Sequence, residues 1–88
     1  MSAIKTKLSQ DQILARIKPI ITDKLNVKKE EVTHGAKFID DLGTDSLDFV
    51  EFSMEMEKEF NLQFKDEDLE KIVTVQDLIT LIHKMING

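Results

Sequence analysis

The chain has 88 residues, with 17 Asp or Glu against 12 Lys or Arg, a net charge of −5 at pH 7, and no Cys. That length fits one domain with a thin core, and the lack of thiols excludes disulfide or thiolate-metal support. The acidic balance argues against nucleic acid, membrane insertion and docking on anionic lipid, and favours protein partners with basic surfaces. No segment is long enough to cross a membrane. Met1 to Leu8 lack the apolar run of a signal peptide, so the expected location is cytoplasmic.

In chain order, the first eight residues read as a frayed terminus. Ser9-Gln10-Asp11-Gln12 is a capping-box pattern. Ile13, Leu14, Ile17, Ile20, Ile21 and Leu25 then recur at helical spacing, and Asn26 sits where a left-handed residue ends a helix. Pro19 interrupts the backbone ladder, but the apolar face continues in phase across it, so we expect one bent helix rather than two short ones. Periodicity then fades. Lys28 to Glu31 is a short charged stretch and His34-Gly35 a turn, while Val32, Phe38, Ile39 and Leu42 pin a long loop to the core, with a helical turn near Phe38 to Asp41. A loop this long in so small a chain is usually functional.

A second helix is expected from Ser46 to Phe60, a short one from Asp66 to Lys71, and a last one opened by Thr74-Val75-Gln76-Asp77. The buried face of that last helix carries Val75, Leu78, Ile79, Ile82, Met85 and Ile86. The fold class is therefore all-α: a small four-helix bundle, three main helices and a short third, with a long loop between the first two.

At about 100° per residue the second helix divides into three faces. Phe49, Phe52, Ser53, Met56 and Phe60 share a core side; Asp48, Glu51, Glu55 and Glu59 share an acidic side; Leu47, Val50 and Met54 form a separate apolar stripe. Two readings of that stripe stay open: a surface that docks into a groove rimmed with Arg and Lys, or the flank of a wide buried face. Ser46 is equally open. A Ser ahead of an apolar helix most often serves as its N-cap. Nothing resembles a catalytic triad or a nucleophile elbow, and His34 and His83 are the only imidazoles. If Ser46 is chemically special, another enzyme modifies it.

The run from Phe38 through Asp40-Asp41-Leu42-Gly43-Thr44-Asp45-Ser46-Leu47-Asp48 to Glu51 resembles the phosphopantetheine attachment segment of acyl carrier proteins, and the resemblance extends over nearly the whole chain. It is closest to the free-standing carriers of dissociated fatty-acid synthesis. The resemblance implies that Ser46 accepts 4'-phosphopantetheine from coenzyme A through a separate phosphopantetheinyl transferase. The arm's thiol then carries the acyl group, so the chain itself needs no Cys and catalyses nothing. It implies partner recognition by Asp45, Leu47, Asp48, Val50, Glu51, Met54 and Glu55, with fatty-acid or polyketide synthesis enzymes as partners. It also implies an acyl pocket formed by Phe49, Phe52, Ser53, Met56, Phe60 and Phe64. Alternatives are a dedicated carrier of a polyketide, peptide or specialised lipid pathway, and an unmodified helical interaction domain. Nothing requires a dimer, so a monomer is expected.

Phe49 stands where that family usually has a smaller residue, often Thr, and Ser53 where an aliphatic one is common. We therefore expect a pocket that is shallower or shifted. Asp66, Glu67, Asp68 and Glu70 crowd the short helix without the spacing of a calcium loop, and read as a solvated acidic face. Mutual repulsion among these carboxylates predicts a melting temperature that rises with added salt or divalent cations, most steeply at high pH. Thermal melts that are flat with salt would contradict this.

Overall fold

The computed structural model describes residues 8–87, and among them the secondary structure is helical: four α-helices, one 3₁₀ turn and no strand. The terminus expected to fray lies outside the described residues except for Leu8, which packs against the core and whose carbonyl accepts from the Asn87 side chain at 3.2 Å.

The first helix, α1, spans Gln10–Leu25. The Ser9 hydroxyl accepts from the Gln12 amide at 3.2 Å, and Gln12 Oε1 accepts from the Ser9 amide at 2.8 Å, so two of the donors left over at the helix start are satisfied. Asn26, at φ 56°, closes the other end. The helix runs unbroken through Pro19. Proline removes the bond to the Ala15 carbonyl, but both residues are exposed, so water can take that acceptor. Ile13, Ile17 and Ile21, spaced four apart, are fully buried.

After α1 the charged stretch forms a 3₁₀ turn, Lys29–Glu31, in which Glu31 Oε1 accepts from the Lys28 amide at 2.8 Å. In the sequence alone a Lys-x-x-Glu return bond is too short a pattern to stand out from a charge run. Further on, the amides of Asp41 and Leu42 donate to the Lys37 carbonyl at 2.9 and 3.0 Å, forming the expected helical turn. Val32, Ala36, Phe38 and Leu42 point into the core, whereas Ile39 does not: it is 64% exposed. Within one helical turn Phe38 and Leu42 share the inward side, and Ile39 faces away from it.

The remaining helices are α2, Ser46–Phe60; α3, Asp66–Glu70; and α4, Val75–Asn87. α1 packs against both α2 and α4. Phe52, Met56 and Phe60 from α2 meet Val75, Leu78, Ile79 and Ile82 from α4 and the isoleucines of α1 in one apolar cluster. Met85 and Ile86 are only half-buried at its edge.

Backbone bonds tie the long loop to the segment between α3 and α4. The Phe38 amide donates to the Val73 carbonyl at 3.0 Å, the Val75 amide to the Ala36 carbonyl at 2.9 Å, and the Gln76 amide to the His34 carbonyl at 2.9 Å. Asp77 holds the other side of this junction. Its carboxylate accepts from the amides of Val73 and Thr74 at 2.9 and 3.0 Å, while its own amide donates to the Thr74 hydroxyl at 3.1 Å. The backbone donors at Val73 and Thr74 lower the Asp77 pKa from 3.8. A carboxylate held below its unfolded value adds stability above that value and loses it as pH falls through the folded one. Asp77→Ala should therefore destabilise the fold by about 1 kcal/mol at neutral pH. In denaturant titrations, the gap from wild type should close as pH drops below 3.8.

Candidate functional site

α2 begins where it does because Gly43 and Asp45 set its entry. Gly43 takes φ 71°, a left-handed conformation that side chains disfavour. Asp45 is extended, and its Oδ1 accepts from the Asp48 amide at 2.8 Å. Asp45 is therefore the N-cap, and Ser46 is the first helical residue. Ser46 is exposed, and among the described residues its hydroxyl has no hydrogen-bond partner. The reading of Ser46 as a structural cap does not hold, because a neighbouring carboxylate already occupies that role. Thr44, just ahead of the cap, is 3% exposed with an Oγ1 lacking a partner among the described residues; such a group costs about 1–3 kcal/mol.

Leu47, Val50 and Met54 are 69%, 45% and 52% exposed. They are not the flank of a buried face but a solvent-facing apolar stripe. Beside it, Asp45, Asp48 and Glu51 are exposed and, among the described residues, in no ion pair. Further along the helix the acids are partly neutralised. Glu55 lies 3.8 Å from both Lys24 and Lys58, and Glu59 lies 3.0 Å from Arg16, whose guanidinium sits 5.5 Å from the Phe60 ring centre. Exposed pairs of this kind add little stability, but they cancel charge locally. Among the described residues, the exposed carboxylates of α2 that are in no ion pair therefore lie toward the end that carries Ser46.

Ser46 also stands on the rim of a cavity of about 450 Å³. One wall is Phe49 and Val50 of α2, another is Lys37, Phe38, Ile39 and Asp40 of the loop, and the third is Leu69, Glu70, Ile72 and Val73. Among the residues expected to form the acyl pocket, Phe49 lines this cavity. Phe52, Ser53, Met56, Phe60 and Phe64 are buried in the interior, and Phe60 lies at the far end of a helix of 15 residues, about 22 Å long. The Ser53 hydroxyl is turned back on its own helix, donating to the Val50 carbonyl at 2.6 Å. The length of the loop marks it in the sequence, but its pairing with residues 69–73 does not show there, because no periodicity links segments joined only by tertiary hydrogen bonds.

The site can accept a covalent group, since its hydroxyl is uncommitted and open to an approaching enzyme, and a mostly apolar cleft lies alongside. His34 is engaged with Gln76 Oε1 at 2.6 Å, and no described side chain is hydrogen-bonded to the Ser46 hydroxyl. Nor do the described residues contain a group of three or more His, Cys, Asp or Glu placed to hold a metal ion. None of the described helices is long and apolar enough to cross a membrane.

A family model described as "Phosphopantetheine attachment site" matches residues 15–82. An acyl carrier protein of Thermotoga maritima is 49% identical over 76 residues, covering 86% of this chain and 94% of that protein. With an open serine at the head of an acidic, apolar-striped helix, and this similarity running through all of its helices, the chain belongs to the acyl carrier proteins, the family that bears phosphopantetheine.

Proposed function

We propose that Ser46 is the residue that accepts 4'-phosphopantetheine, and that the loaded chain presents acyl groups to the enzymes of fatty-acid synthesis. The carrying observation is the free, exposed Ser46 hydroxyl at the first position of α2, with its capping duty taken by Asp45. When bound, the group supplies a thiol on a long flexible arm, to which an acyl chain is joined as a thioester. The chain's own part is to offer the hydroxyl at a helix start and to be recognised; Asp40, Asp41, Asp45 and Asp48 around it oppose the charge of a phosphodiester, so the helix end is no anion pocket of its own.

Recognition is proposed to rest on the α2 surface next to Ser46. Leu47, Val50 and Met54 supply apolar contact, while Asp45, Asp48 and Glu51 steer a basic partner toward the attachment point. Glu55 contributes less, because Lys24 and Lys58 already face it. The pathway assignment rests on the resemblance of the run from Phe38 to Glu51 to the free-standing carriers of dissociated fatty-acid synthesis; the Thermotoga maritima relative, matched over 94% of its length, supports the carrier family. A dedicated carrier for another acyl pathway is the second reading, favoured by one observation: the bulky Phe49 in the cavity wall.

Incubation with coenzyme A and a phosphopantetheinyl transferase should raise the intact mass by one phosphopantetheine, and Ser46→Ala should stay unmodified. An unmodified wild type, or a labelled Ser46→Ala, would refute the assignment. Acyl species found on the protein purified from cells will separate the two pathways. Glu51→Lys should slow association with the transferase about tenfold at low salt, with the difference shrinking as salt rises. Association rates unchanged by this charge reversal would remove α2 from the recognition surface.

A further inference from the structure

Phe38, Phe49 and Phe52 form a three-way aromatic cluster. Their ring centres are 5.2 Å apart for Phe38 and Phe49, 5.5 Å for Phe38 and Phe52, and 6.1 Å for Phe49 and Phe52, with every pair tilted. Tilted contacts at these separations are favourable beyond the area they bury. Phe38 and Phe52 are each 1% exposed, whereas Phe49 is half-buried. Phe49 is therefore the outermost member of the cluster. It lies three residues after Ser46, and so on the same side of α2, and both residues line the cavity. Any chain leaving Ser46 toward the interior meets the Phe49 ring first.

Ile13, Ile17, Ile21, Met56 and Ile79 are fully buried in one continuous apolar cluster. Methylenes forced into a close-packed core of this kind bring strain rather than burial. Ser53, one turn beyond Phe49 on the same side of α2, leaves little bulk of its own next to the aromatic cluster, and its hydroxyl is satisfied within the helix. The cleft's other boundary is held differently. The loop and the segment before α4 are joined by the Phe38-to-Val73 and Val75-to-Ala36 backbone bonds. Leu69 and Ile72, beyond that joint, are only half-buried, and they belong to or follow a helix of 5 residues with no fully buried member. Packed against the core through half-buried side chains, that wall resists widening less than the fully buried interior does.

We propose that Phe49 is a specificity-determining residue for the cargo. Its ring, packed on Phe38 and Phe52, closes the way from the cleft beside Ser46 into the helical core. An acyl chain tethered at Ser46 then lies between the loop and residues 69–73, and methylenes beyond the capacity of that cleft stay in water. This rests on Ser46 being the attachment site.

The test loads wild type, Phe49→Ala and Phe49→Leu with saturated acyl-phosphopantetheine groups of increasing length, from the corresponding acyl-coenzyme A and a transferase. Each melting temperature is compared with that of the same protein bearing the unacylated arm. The wild-type gain should level off at short to medium length. In the variants it should continue, at about 3–6 °C for each further methylene buried. Identical length profiles in wild type and both variants would overturn the proposal. A wild type that gains no mass on loading would instead overturn the Ser46 assignment, and this inference with it. The mass measurement tells the two failures apart. If the variants do not fold, the wild type carrying a chain with a labelled terminal methyl decides. Proton contacts from that methyl to Leu69, Ile72 or Val73 are expected, and contacts to Ile17, Met56 or Ile79 would overturn the proposal.

Discussion

The bond from the Asp48 amide to the Asp45 carboxylate, at 2.8 Å, sets the starting point of α2, and the rest of the site depends on that register. A helix start leaves several amides without partners, and a side-chain acceptor just ahead of it satisfies one of them. Because Asp45 takes this role, the Ser46 hydroxyl is left uncommitted. Because Gly43 tolerates φ 71°, the loop can turn sharply enough to deliver Asp45 there. With the register set, the 3.6-residue period does the rest. Phe52, Met56 and Phe60 turn inward, Leu47, Val50 and Met54 turn outward, and Ser46 and Phe49 share the side that faces the cleft.

The same helix carries two electrostatic regimes. Near Ser46 the carboxylates of α2 are exposed and, among the described residues, in no ion pair; toward the other end Lys24 and Arg16 of α1, with Lys58, offset Glu55 and Glu59. These exposed pairs contribute little to stability. Their effect is on where the charge of α2 is offset: at the Glu55 and Glu59 end, and not at the end that carries Ser46. For a chain of net charge −5, this gives an approaching basic surface a preferred orientation as well as an attraction.

The cleft is a tertiary construction of a different kind. Its loop wall and its 69–73 wall are far apart in the chain and are joined by main-chain bonds, with Asp77 bracing the junction through the Val73 and Thr74 amides. One side is anchored in the core by Phe38, and the other rests on the five residues of α3. For the acyl cargo proposed above, the side formed by half-buried Leu69 and Ile72 is the one expected to yield, while the three long helices stay packed.

The amino-acid order alone determined the helices, because caps and apolar periodicity act over a few residues. Ser9 with Gln12, Thr74 with Asp77, the left-handed Asn26 and the isoleucine stripe of α1 all appear where local chemistry places them. It also marked Ser46 and its acidic surroundings, through the run from Asp40 to Glu51. Tertiary packing alone decided which apolar residues were surplus to the core, and hence that Leu47, Val50, Met54 and Ile39 face solvent. It also decided that Glu55 and Glu59 are neutralised from α1, and that the cavity beside Ser46 is walled by Phe49 with the loop and residues 69–73 rather than by the deeper α2 side chains. The reason is range: a helix wheel ranks the faces of one segment, whereas burial, ion pairing between helices and the shape of a cleft depend on neighbours that the chain brings together only when it folds.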